Sequence, residues 1–158
     1  MTVATRKVTG RRKLRSASLE DLSAELDQLA AAPLRQLGNW SLGQICRHLA
    51  VAMNGSIDGY GFQAPWAIRL VAPLLLKNRM LNKGMAPGFK LPAYAAKTMA
   101  PAAVDDATGV SELRAAIARQ QRESHREPSP FFGRMTNEEW TKLHLRHAEM
   151  HLSFVEPL

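Results

Sequence analysis

Trp140-Thr-Lys-Leu-His144-Leu-Arg-His147-Ala-Glu-Met-His151-Leu-Ser-Phe154 is the stretch on which the fold turns. Trp140, Leu143, His144, His147, Met150, His151 and Phe154 recur every three or four residues, the period of an amphipathic helix. Thr136-Asn137-Glu138-Glu139 just before it has the Thr-x-x-Glu form of a capping box, and Pro157 closes the helix at the chain end. Three of the five histidines fall within eight positions. Two of them, His147 and His151, are spaced i, i+4, which sets both imidazoles on one face about a turn apart.

Working outward, other helices are signalled with unequal clarity. Ser18 opens the first, with Asp21 three residues on, and Leu19, Leu22, Leu26 and Leu29 follow at helical spacing until Ala32-Pro33 ends the run. Ser41 is the N-cap of a second, whose apolar stripe is Leu42, Ile45, Leu49, Ala52 and Met53. His48 borders that stripe. Pro65-Trp66 begins an apolar helix to about Leu81, with Pro73 placed to kink it. Residues 82–101 hold Gly84, Pro87, Gly88, Pro92 and Pro101 and read as a long ordered loop, the kind that often covers a site. A further helix is expected over about 111–125, with Leu113, Ala116, Ile117 and Gln120 on one face. A loop follows in which Phe131-Phe132-Gly133 packs back onto the body. No segment alternates as a strand does, and there is no Asn-Gly or Asp-Gly hairpin signal. The expected architecture is all-α: a four-helix bundle with an extra helix and a long loop between the second and third main helices.

The bulk numbers agree with a single folded domain of ordinary composition, 46% hydrophobic and 22% charged over 158 residues. The formal charge of +7 has a local origin. Arg6, Lys7, Arg11, Arg12, Lys13 and Arg15 lie in the first fifteen residues with no acid among them, and the remainder is nearly balanced. Residues 1–15 therefore read as a basic, flexible arm and residues 16–158 as the helical domain. The arm has no aromatic residue and no reading motif, which argues against nucleic acid as a partner. No apolar run reaches the ~20 residues a membrane span needs; residues 67–76 come closest, and Arg69 interrupts them, so no membrane partner is expected. The arginines are followed by no apolar run, so no secretory leader is expected. The lone Cys46 excludes an intramolecular disulfide and fits a reducing cytoplasm, the expected location.

The chemistry rests on the histidines. His147 and His151 form a known two-ligand arrangement, but Ala148 stands where the His-Glu-x-x-His motif of zinc proteases needs its glutamate. His144 lies three residues before His147 and competes for the pairing, and spacing alone does not choose between them. Cys46 is roughly 200° around the helix from His48, so those two cannot share an ion. Asp58 is ~15 Å along the helix from His48, too far to touch a shared metal. Arg146 and Glu149 are expected at the surface, and Trp40 and Trp140 as core anchors.

Trp40-Ser41-Leu42-Gly43-Gln44-Ile45-Cys46-Arg47-His48-Leu49 and His147-Ala148-Glu149-Met150-His151-Leu152 resemble the two signatures of the DinB-like superfamily of metal-binding four-helix bundles. Phe131-Phe132-Gly133, Glu138-Glu139-Trp140 and the closing His-x-x-x-His-Leu-Ser-Phe resemble a branch of it catalogued as a domain of unknown function. The resemblance runs from about Arg15 onward. It implies that one histidine of the second helix and the i, i+4 pair of the last hold a divalent cation, here through His48, His147 and His151, with His144 outside. It also implies a small-molecule substrate, a thiol-dependent S-transferase or metal-dependent hydrolase activity with a low-molecular-weight thiol or water as the activated group, and a homodimer. Residues 82–101 elaborate on the simplest members of that superfamily. Three imidazoles suit Zn²⁺, Ni²⁺ or Fe²⁺ without selecting among them. The contrasting expectation is a non-catalytic, stress-related or binding module whose metal site is vestigial or structural.

Overall fold

Reciprocal caps start three of the four longest helices. In the computed structural model, which describes residues 2–158, the elements run α1 (Leu19–Ala31), β1 (Leu34–Gln36), α2 (Leu42–Asp58), α3 (Trp66–Ala72), α4 (Asn78–Lys83), α5 (Ala93–Met99), α6 (Asp106–Arg122), α7 (Asn137–Leu152) and β2 (Val155–Pro157). At α1, α2 and α7 the hydroxyls of Ser18, Ser41 and Thr136 accept from the backbone N–H three residues on. Asp21, Gln44 and Glu139 accept in return from the cap N–H. The fourth, α6, starts about five residues earlier than periodicity predicts, because Asp105 caps it by accepting from Thr108 N at 2.9 Å. It also stops at Arg122, short of His125.

The early start of α6 is tied to two glycines. A Cβ on Gly109 would lie 2.6 Å from Gly43 Cα, and one on Gly43 would lie 2.5 Å from Asp105 O. The two backbones therefore approach more closely than any side chain allows. Gly43 N also donates to Asp106 Oδ1 at 2.7 Å, which locks the start of α2 to the start of α6.

The core is built from the four long helices. Leu22, Leu26 and Leu29 of α1, Ile45, Cys46, Leu49 and Met53 of α2, Leu113, Ala116 and Ile117 of α6, and Leu145, Ala148 and Leu152 of α7 meet in one buried cluster. Each of these runs follows the helical period, so the burial of one stripe per helix explains the packing. On α7 the stripe that enters this cluster is Leu145, Ala148 and Leu152, one step around from the histidine stripe read from the sequence. Leu143 and Met150 of the expected stripe keep part of their surface exposed, while Trp140 and His144 are buried. The helix is thus covered on two faces.

Two expectations about local structure are corrected. Leu34–Gln36 and Val155–Pro157 form a short antiparallel ladder, pairing Leu34 with Pro157, Arg35 with Glu156 and Gln36 with Val155. Consequently α7 ends at Leu152, and Pro157 belongs to a strand. Pro33 stops α1, and the chain after it lies beside the returning tail, where Leu37 N donates to Phe154 O at 2.8 Å. The fold is still mostly helical. The second correction concerns residues 82–101, read as a loop: they contain α5, set off by Pro92 at its N-cap.

Between α3 and α4 the chain is continuous through a π-helical segment, Pro73–Lys77. Pro73 has no N–H to give the carbonyl four residues before it, and the wider turn accommodates that loss. This segment is attached to the body along one side, through buried Ala72 and Leu81, packing of α4 on α7, and a Lys77–Glu139 ion pair of 2.6 Å. The basic N-terminal residues also make contacts: Arg11 Nη1 donates to Ser153 Oγ at 2.9 Å, and Arg12 pairs with Glu25 at 2.6 Å. Phe132 is buried, beside a bridge between Ser129 and Gly133. Among the described residues no helix is long and apolar enough to cross a membrane.

Candidate metal centre

His48 projects from the middle of α2, and His147 and His151 from one face of α7, where those two helices pack together. The Nε2 atoms of His48 and His147 are 3.1 Å apart, as are those of His147 and His151. The three rings meet at their edges, with centroids 4.6 to 4.9 Å apart. Their nitrogens form a group able to hold a metal ion, all ligand atoms lying within 4.8 Å of one another. Two ligands of a tetrahedral zinc, each ~2.0–2.1 Å from it, stand ~3.3 Å apart, close to the two spacings of 3.1 Å that His147 makes with His48 and His151.

The hydrogen bonding supports the same fit. His48 Nδ1 lies 2.6 Å from the carbonyl oxygen of Met99, at the end of α5. A carbonyl only accepts, so Nδ1 carries the proton and Nε2 of the neutral ring presents a lone pair. His147 Nε2 faces two imidazole nitrogens at once, and one N–H can serve only one of them well. A neutral triad therefore leaves a nitrogen–nitrogen contact without a proton between, whereas a cation accepts all three lone pairs. Burial, the largest influence, holds all three rings below the ordinary imidazole range. At His147 the neighbouring His151 and His48 push the same way, and at His48 the Met99 hydrogen bond opposes it. Neutral imidazole is the form that ligates.

A family described as "Protein of unknown function (DUF1569)" matches residues 8–158. The chain belongs to that family. No curated protein and no solved structure matches it.

In this DUF1569 protein the other expected site residues fall as follows. His144 does not join the three Nε2 atoms. It is buried under the ring of Trp140, and its Nε2 lies 3.0 Å from Ser56 Oγ. Burial, helped by the charge of Arg126, pushes it down to about 3, so it stays neutral. Cys46 faces the core, and burial raises its thiol to about 12, which makes it inert at neutral pH. Asp58 is occupied by Arg119, at 2.7 and 2.9 Å.

Arg146 and Glu149 are not surface residues as expected. Their side chains are only 5% and 10% exposed, they pair at 2.8 Å, and both bind the backbone of Ser16. That backbone lies just ahead of α1, so the pair ties α7 to the chain entering the domain. Trp140 is a core anchor. Trp40 is one only in part, because its ring stacks on His151 at 5.2 Å and tilts over His48 at 5.1 Å. It forms a wall of the site.

Trp40 as a wall and Met99 as the partner of His48 were both missed from the sequence. Trp40 sits immediately before the cap of α2, a position where an apolar residue usually packs onto its own helix, so its reach to α7 had no local signal. Met99 contributes a main-chain oxygen, which no residue type announces.

Proposed function

We propose that this protein is a metal-dependent enzyme of DinB-like, four-helix-bundle type. His48, His147 and His151 hold a divalent cation there and present a low-molecular-weight thiol or water to an electrophilic small molecule. The observation that carries the reading is the convergence of three imidazole nitrogens from two helices, with His48 oriented by the Met99 carbonyl. Such an outer partner is typical of ligating histidines. The bundle reading is supported by the shared core of α1, α2, α6 and α7, with one histidine of the triad on the second of these and two on the last.

When bound, the cation supplies Lewis acidity, which lowers the pKa of a small thiol or water toward neutrality. Three protein ligands leave positions for such a group, the pattern of catalytic rather than structural sites. Because His48, His147 and His151 bring no negative charge, they leave the cation uncompensated and favour an anionic partner such as thiolate. Trp40 covers one side of the triad and limits water there. The end of residues 82–101 reaches the triad through Met99, so that segment borders the substrate space.

The test uses tag-free protein. Elemental analysis is expected to find close to one equivalent of zinc, nickel or iron. Consumption of a small thiol against a panel of alkyl halides and epoxides should stop on chelation and return on adding the metal back. Protein that binds no metal, or that leaves both thiol consumption and hydrolysis at background, would overturn the reading.

A further inference from the structure

We propose that the protein docks on an anionic membrane surface through the outer face of residues 66–76, together with Phe89. The apolar side chains there point away from the body. Trp66 and Leu74 are 78% and 80% exposed, and Leu70, Val71, Leu75 and Phe89 are exposed as well. Trp66, Leu70 and Leu74 follow one another at four-residue steps, with Val71 and Leu75 beside them, so they form one strip. Elsewhere among the described residues only Val3 and Leu158, next to the termini, are large apolar residues so exposed. A contiguous apolar patch of this kind marks an interaction surface.

Charge identifies the occupant. From residue 59 to residue 104 the chain has no acidic residue, while Arg69, Lys77, Arg79, Lys83, Lys90 and Lys97 lie within that span. Lys77 is taken up by Glu139, and the others have no acidic partner among the described residues. A helix with Trp and Leu on one side and Lys and Arg around it, lacking acids, suits the plane of an anionic bilayer. A second copy fits poorly. A two-fold contact would set the same patch against itself, bringing like charges together with no acid within residues 59–104 to pair them. Docking of this sort requires no spanning helix.

Full-length protein would be sedimented with vesicles of phosphatidylcholine containing about 30% phosphatidylglycerol, and with pure phosphatidylcholine. The bound fraction should be about tenfold higher on the anionic vesicles, and the variant Leu70→Ser/Leu74→Ser/Leu75→Ser should lose about tenfold. All three positions are exposed, so the variant should keep the far-ultraviolet spectrum and melting curve of the parent. Brominated lipid should quench tryptophan emission in the unaltered chain but much less in Trp66→Phe, which decides the matter even if the triple variant fails to fold. Protein left in the supernatant, equal binding by the triple variant, or a dimer in solution that this variant splits would each overturn the proposal.

Discussion

The Nε2 atoms of His48 and His147 come within 3.1 Å of each other across a separation of 99 residues. Neither ring is placed by its neighbours in sequence. His48 is carried there by the packing of α2, which Gly43 locks to α6, and His147 by the seating of Leu145, Ala148 and Leu152 in the core. The contact therefore reports on the assembled helices and can be used to test them.

Replacing single histidines should separate ligands from the bystander. His147→Ala should lower metal content from about one equivalent to under a tenth while leaving helicity unchanged. His144→Ala should keep the metal and lose on the order of 2 kcal/mol of stability, because it opens a cavity under Trp140. Elemental analysis with urea denaturation checks both. Unchanged metal in His147→Ala, or lost metal in His144→Ala, would reverse the assignment.

Metal binding should stabilise the fold, since α2 and α7 are joined through the site. At about a hundred times the dissociation constant the gain is ~2.7 kcal/mol. For a chain of this size that raises the melting temperature by roughly 5–10 °C. Melting curves with and without chelator measure it, and the difference should vanish in His48→Ala.

Stability of the metal-free protein should depend on pH with a definite sign. His144 titrates at about 3 in the folded chain, far below the ~6.5 of a free imidazole. Below ~6.5 the unfolded chain takes up a proton that the folded chain refuses, so stability falls as pH falls. The slope from this group is about 1.4 kcal/mol per pH unit, ending near the folded value. The burial of His147 and His151 acts in the same direction. Urea midpoints at pH 7.5, 6 and 5 should decrease in that order.

Gly109→Ala should be more harmful than a methyl group normally is. The added Cβ would meet the backbone of Gly43, which cannot turn aside as a side chain does. A loss of about 1–3 kcal/mol or more is expected from overpacking, read as a lower denaturation midpoint. A neutral Gly109→Ala would mean that α2 and α6 are not in such close contact.

The fold was legible where a rule is local. Ser18, Ser41 and Thr136 announced their helices, since a cap and its partner lie three residues apart. Features resting on distant pairing were hidden. Three-residue strands such as Leu34–Gln36 are too short to display a period, and they exist because the tail returns to them. Arg146 and Glu149 looked like surface residues because nothing nearby foretells the Ser16 backbone that receives them. Of the site, spacing displayed only the i, i+4 histidines of one helix; His48 as third member and His144 as outsider came from the family resemblance. Its wall and its outer hydrogen bond were not legible.

The Met99 carbonyl that holds His48 leads to an unusual genetic behaviour. Every amino acid carries a main-chain oxygen, so exchanges of the side chain at position 99 leave the acceptor in place. A saturation scan would then score the position mainly by how well the new side chain fits its buried setting. The dependence of His48 on it would go unseen. It would surface only in changes that shift the chain itself, such as deleting one residue from α5, where loss of the metal should far exceed the loss of fold.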